Sequence, residues 1–148
     1  MTSNEIAETK TRARIERLYE AFAHHDLELL RKVVTPDWEY LPEPKGATPG
    51  PDQMAPVFQN IAVALPDMKI DIHDVLIHGN RVGVRAEVTG TQAGPLMGIA
   101  ATSKPVRFAI HSFHEMRGEL VAKTWHLEDW LGVFQQLGQL PRQLDLRE

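Results

Sequence analysis

The chain has 148 residues, 43% of them apolar, with a formal net charge of -4 at neutral pH and no cysteine. This size and apolar content suit a single domain over residues 1–148, and the lack of cysteine excludes disulfides and thiol nucleophiles. Scattered charges leave no basic stripe for nucleic acid and no block for anionic lipid; with no apolar run fit to span a bilayer and no secretory h-region, the expectation is a cytoplasmic protein that binds neither nucleic acid nor membrane.

From Asn4 onward, Ile15, Leu18, Tyr19 and Phe22 recur at three- and four-residue spacing, predicting an amphipathic helix. His24-His25 ends it and reads as surface loop. Asp26 is placed to cap a short second helix carrying Leu27, Leu30 and Val33-Val34. Thr35-Pro36-Asp37 breaks that helix, and Trp38-Glu39-Tyr40-Leu41 predicts a short strand. The segment from Glu43 to Gly50, rich in proline, glycine and polar residues, is either a connection or a flap over a pocket. Met54, Val57, Phe58, Ile61 and Leu65 mark a third helix, which Pro66 stops.

The period then changes to two. Ile70, Ile72 and, after a one-residue slip near Asp74, Val75 and Ile77 predict a strand with a bulge. Gly79-Asn80 turns the chain, and Val82, Val84, Ala86 and Val88 alternate in the next strand. A glycine-rich stretch, Gly94 to Ser103, leads to a last hairpin: Val106, Phe108 and Ile110 alternate, Arg117-Gly118 turns, and a second extended run covers Leu120 to Trp130. Helices first and long strands afterward imply an α+β fold. Strands of that length must curl, so the helices would lie against a concave face and leave a cone-shaped pocket. The apolar convex face suits a homodimer.

Within the last hairpin, Trp125, Leu127 and Asp129 share one strand face, and His126 and Glu128 the other. An aspartate on an apolar face can be desolvated, which suits it to exchange protons near neutral pH; at a strand end it can equally face solvent or cap the next segment. A two-residue turn at Arg117-Gly118 puts His114 on the face of Trp125 and Asp129; a three-residue turn including Glu119 puts His111 there. The odd spacing of His111 and His114 sends them to opposite faces, so no metal set is expected. Ser112 lacks a nucleophile elbow and reads as an ordinary strand serine.

The run TWHLEDWLGVFQQLG, with Leu65-Pro66-Asp67, His78-Gly79-Asn80-Arg81-Val82, Thr89-Gly90-Thr91 and the turn glycine Gly118, resembles the SnoaL-like polyketide cyclase (ester cyclase) family of the NTF2-like superfamily. The resemblance implies an NTF2-like cone, three N-terminal helices packed on a strongly curved, mainly antiparallel sheet. It also implies a general acid/base at Asp129, joined by His111 or His114. Relative to the family, an extra residue before the tryptophan favours the longer turn and hence His111. The expected pocket is lined by Trp38, Tyr40, Phe108, Ile110, Trp125 and Leu127. The expected function is cofactor-independent acid/base chemistry on a small, hydrophobic, enolisable carbonyl compound such as a polyketide-derived β-ketoester. A non-catalytic ligand-binding or dimerisation module is the alternative.

Overall fold

The computed structural model describes residues 1–43 and 46–140. Helix α1 (Ser3–Ala23) opens with a capping box, in which the Thr2 hydroxyl accepts from the Glu5 amide at 3.1 Å and the Glu5 carboxylate accepts from the Thr2 amide at 2.7 Å. Two of the helix's orphan donors are thereby satisfied. Asp26 caps α2 (Leu27–Val33) by accepting from the Leu29 amide at 3.0 Å. Helix α3 (Ala55–Ala64) follows a 3-10 turn over Pro51–Met54, and α4 (Trp130–Gln136) follows the last strand.

Five strands form one sheet: β1 (Val34–Leu41), β2 (Lys69–His78), β3 (Arg81–Thr91), β4 (Pro105–Arg117) and β5 (Leu120–Glu128), in the order β1-β5-β4-β3-β2. All neighbours are antiparallel except β1 and β5, which run parallel. The slip expected near Asp74 is a register shift between Ile72 and Asp74 that leaves His73 unpaired, and a second shift lies between Glu115 and Met116. Bulges of this kind increase local twist and help the sheet curl.

The concave face carries Val82, Val84, Ala86 and Val88 of β3 and Val106 and Phe108 of β4, all buried. At one end they pack with Ile15, Leu18, Leu30, Val33 and Trp38; at the other, Leu65, Leu96, Val133 and Leu137 close the core. Fully burying one such large side chain stabilises by roughly 1.5 to 3 kcal/mol before the entropy of ordering it is counted.

The α+β cone implied by the sequence is the fold observed, with two differences. The strand around Trp38 is twice as long as its aromatic core and joins the sheet in parallel. Strand β5 ends at Glu128 instead of reaching Trp130, because the Asp129 carboxylate accepts from the Gly132 amide at 2.9 Å and starts α4. As for a flap over the pocket, Pro44 and Lys45 of that segment lie outside the described residues.

Candidate active site

Between the two apolar clusters lies a cavity with two lobes. The wider, of about 110 Å³, is bounded by α1, α3, the α1–α2 junction and the floor of the sheet; Phe58, Phe108 and His25 are among its walls. The narrower, of about 50 Å³, runs toward Tyr19, Ser112 and His114. Tyr40, Ile110 and Glu128 line both lobes. A separate surface groove of about 570 Å³ between α1 and the β4–β5 turn, lined partly by Lys10, Arg14 and Arg17, holds none of the buried titratable groups.

Strand parity sets the polar equipment. Thr124, His126 and Glu128 point into the cone from β5, and Ser112 and His114 point in from β4, since His114 pairs with Thr124 and Ser112 with His126. The His126 Nδ1–H donates to Glu128 Oε1 at 2.7 Å, and the imidazole stacks on the Tyr40 ring at 3.8 Å, with the two planes 3° apart. That hydrogen bond fixes the tautomer of the neutral ring and leaves the lone pair on Nε2. Nε2 is buried and has no partner among the described residues. The Tyr40 hydroxyl lies 3.5 Å from the same carboxylate oxygen. Burial, then the negative charge of Glu128, pushes the Tyr40 phenol well above its ordinary pKa, so it remains a neutral donor.

Deeper in the cone, His114 is held between Tyr19, whose hydroxyl is 3.0 Å from Nε2, and Thr124, whose Oγ1 is 2.8 Å from Nδ1. Trp38 Nε1–H donates to the same Thr124 oxygen at 3.1 Å. Burial lowers the His114 pKa to about 3 and raises that of Tyr19, so both are neutral at physiological pH. This chain of hydrogen-bonded groups closes the narrow end.

Several expected site residues stand elsewhere. Trp38, Tyr40, Phe108 and Ile110 are on the concave side, Trp38 beneath the cavity and the other three in its wall. Trp125 and Leu127 are on the convex face: Arg81 and Lys123 lie over the Trp125 ring at 5.4 and 5.2 Å, and Leu127 is 72% exposed. His111 pairs with Leu127 and so shares the face of Trp125, as the longer-turn register requires, but that face is outside. The Gly118-Glu119 loop has two residues, and the extra residue is absorbed as a bulge at Ala122, opposite Glu115 and Met116. Asp129 is exposed and spends its carboxylate on the α4 cap. Of the expected acid/base residues, only His114 lines the cavity.

The expectation failed at one step, the assumption that aromatic and aliphatic residues mark the inward face. Parity correctly separated His126 and Glu128 from Trp125 and Leu127; a carboxylate two residues from a histidine on one strand face was the available signal for a paired site. His25, read as surface loop, also lines the wider lobe, whereas its neighbour His24 is exposed.

Among the described residues, no group of three or more His, Asp or Glu side chains could hold a metal ion, and no helix is long and apolar enough to cross a membrane. Comparison with known families matches residues 13–137 to the SnoaL-like polyketide cyclase model. No curated protein matches. Among solved structures, TsrD from Streptomyces laurentii is similar at a TM-score of 0.81 and 23% identity, over 89% of this chain and 97% of that one. A Bacillus cereus protein provisionally assigned as a polyketide cyclase is 26% identical with a TM-score of 0.77, over 90% and 83% of the two chains. IdmH from Streptomyces antibioticus, also provisionally assigned as a polyketide cyclase, is 26% identical with a TM-score of 0.75, over 86% and 98%.

Proposed function

This chain belongs to the SnoaL-like polyketide cyclase family, and from that premise we propose that it is a cofactor-independent acid/base enzyme acting on a compact, enolisable carbonyl compound, with His126 as the proton-transferring group and Glu128 as its partner. The observation that carries the reading is the unpartnered, buried Nε2 of His126, a residue whose Nδ1 is held by Glu128 and whose ring lines the cavity. An orphaned buried nitrogen costs free energy unless a ligand meets it.

In the proposed cycle, Nε2 removes a proton from a carbon flanked by two carbonyls, and the C–H electron pair passes into the carbonyls as an enolate. Glu128 stabilises the imidazolium so formed, as a carboxylate does for a catalytic histidine elsewhere. In an aldol closure, the enolate carbon attacks a second carbonyl of the same molecule, a C–C bond forms, and the new alkoxide takes the proton back from Nε2. The neutral Tyr40 hydroxyl is a donor for the developing oxyanion. The substrate's conjugation delocalises the enolate, so the chemistry needs no external electron sink. Both lobes are small beside the roughly 300 to 1,000 Å³ of sites for drug-sized ligands, which favours a compact substrate.

Hydrogen–deuterium exchange at the α-carbon of ethyl acetoacetate, followed by NMR, tests proton abstraction without knowledge of the product. The native protein accelerates exchange; His126→Asn and Glu128→Gln reduce that acceleration by about 10²-fold or more. Exchange no faster than in buffer removes the enzymatic reading and leaves a ligand-binding module; native-level acceleration in both variants removes the His126–Glu128 assignment.

The convex face supports a second element of the proposal, a homodimer. One row of cross-strand neighbours runs Leu76, Gly83, Phe113, Trp125 and Leu41, with Leu76 73% and Phe113 65% exposed. Ion pairs Arg81–Glu115, Arg85–Asp74 and Lys123–Glu39 flank it. An apolar strip with a charged border is the anatomy of a self-complementary interface.

A further inference from the structure

We infer that His25 is a second polar anchor in the cavity, a hydrogen-bonding site for a hydroxyl or carbonyl oxygen at the end of the substrate remote from the carbon that reacts at His126. The inference rests on the proposed reading for the location of the reacting end, but not for the existence of the anchor.

Among the described residues, four buried side-chain polar atoms lack a partner, and two of them, His126 Nε2 and His25 Nε2, belong to histidines that line this cavity. Thr35 Oγ1 and Gln53 Oε1, the others, line neither lobe. His25 reaches the wider lobe by an uncommon backbone. Its φ is +54°, in the left-handed region that a non-glycine residue adopts at a cost. The junction is held in that shape by the Asp26 amide, which donates to the Ala21 carbonyl at 2.8 Å across the end of α1. The imidazole then lies edge-on to Phe58, with centroids 6.1 Å apart, in a wall otherwise built of apolar side chains and Tyr40 and Glu128. Burial, and then the neighbouring His24, lowers the His25 pKa, so the ring is neutral and Nε2 can accept or donate a hydrogen bond. An apolar residue here would fill the wall without leaving a polar atom unmet. A ligand with polar groups at both ends satisfies both orphaned nitrogens at once.

The test compares two β-ketoesters that differ in one distal hydroxyl, ethyl acetoacetate and hydroxyethyl acetoacetate, with dissociation constants from NMR titration. The native protein binds the hydroxyethyl ester about 2- to 10-fold more tightly, the effect of one net hydrogen bond. His25→Asn, which tolerates the left-handed backbone but is too short to place a polar atom at Nε2, abolishes the preference. His25→Gln, whose amide reaches that position, restores part of it. A merely structural histidine would shift both esters equally and leave their ratio intact. Equal binding of the two esters by the native protein, or a preference that survives in His25→Asn, overturns the anchor. The ratio is independent of turnover, so failed α-carbon exchange with an intact preference would sink the enzymatic reading and keep this one.

Discussion

Burial acts on His114 as a penalty on charge, and that makes its contribution to stability depend on pH in one direction. The folded pKa of about 3 lies below the ordinary histidine value near 6.5. Above pH 6.5 neither state is protonated, and the full stability is present. As pH falls from there toward 3, the unfolded chain gains a proton that the native chain refuses, and stability is lost. By pH 4.5 the loss from this residue is roughly 3 kcal/mol. Urea midpoints at pH 7 and pH 4.5 check it. His114→Gln, which keeps a polar group toward Tyr19 but has nothing to titrate, starts less stable at pH 7 and loses less on acidification; equal losses in both proteins would remove His114 as the cause. At the same scale, residues that carried the family resemblance turn out to build the frame. The Asp67 carboxylate accepts from both the amide and the hydroxyl of Thr91 at 2.8 Å, and Gly90 lies close beside Asp67 and Leu65. The Leu65-Pro66-Asp67 and Thr89-Gly90-Thr91 motifs are thus two halves of one clasp between the end of α3 and β3.

Asp129 stands at the point where β5 becomes α4, and the helix explains its carboxylate without chemistry. Its own amide donates to Ala109 at 3.0 Å, the last rung beside β4, and its side chain receives the Gly132 amide. Beyond it, Gln136 of α4 takes over the edge of β4, accepting from the Arg107 amide at 2.8 Å and donating to the Arg107 carbonyl at 2.7 Å. Val133 and Leu137 bury the helix against Val106 and Phe108. Replacing Asp129 with Ala should cost about 1 kcal/mol through loss of the cap, while Asn should retain most of it. Both variants should keep α-carbon exchange. Thermal melts and the exchange assay separate the roles: a folded Asp129→Asn with exchange reduced about 10²-fold would return the chemistry to Asp129.

The sheet presents apolar residues on both faces, and among the described residues only one of those faces has helices on it. Gly83 contributes to the bare face by leaving room for the Phe113 ring, which a side chain there would meet at 3.3 Å. If two copies join through this face, sedimentation at micromolar concentration reports twice the monomer mass, and Phe113→Glu reports a folded monomer, since burying an unpaired charge at the centre of the strip is unfavourable. A native protein that is monomeric at all accessible concentrations excludes the interface. Because the proposed interface lies on the opposite side of the sheet from the cavity, the Phe113→Glu monomer should retain the exchange activity of the His126–Glu128 pair.

The amino-acid sequence by itself determined the order of elements from α1 to β5, the bulge near Asp74, the hairpin turn at Gly79-Asn80 and the cap at Asp26, because each depends on local periodicity or on the conformational preference of one or two residues. It also determined that His126 and Glu128 share a strand face, which follows from a period of two. Which face is inside was decided only by tertiary structure. Trp125 is held outside by Arg81 from β3 and Lys123, while His126 is held inside by Tyr40 from β1, a strand that reaches β5 through a parallel pairing far along the chain. Tertiary structure likewise turned Asp129 into a helix cap and His25 into a cavity wall, since both outcomes depend on how the chain leaves one element and meets another.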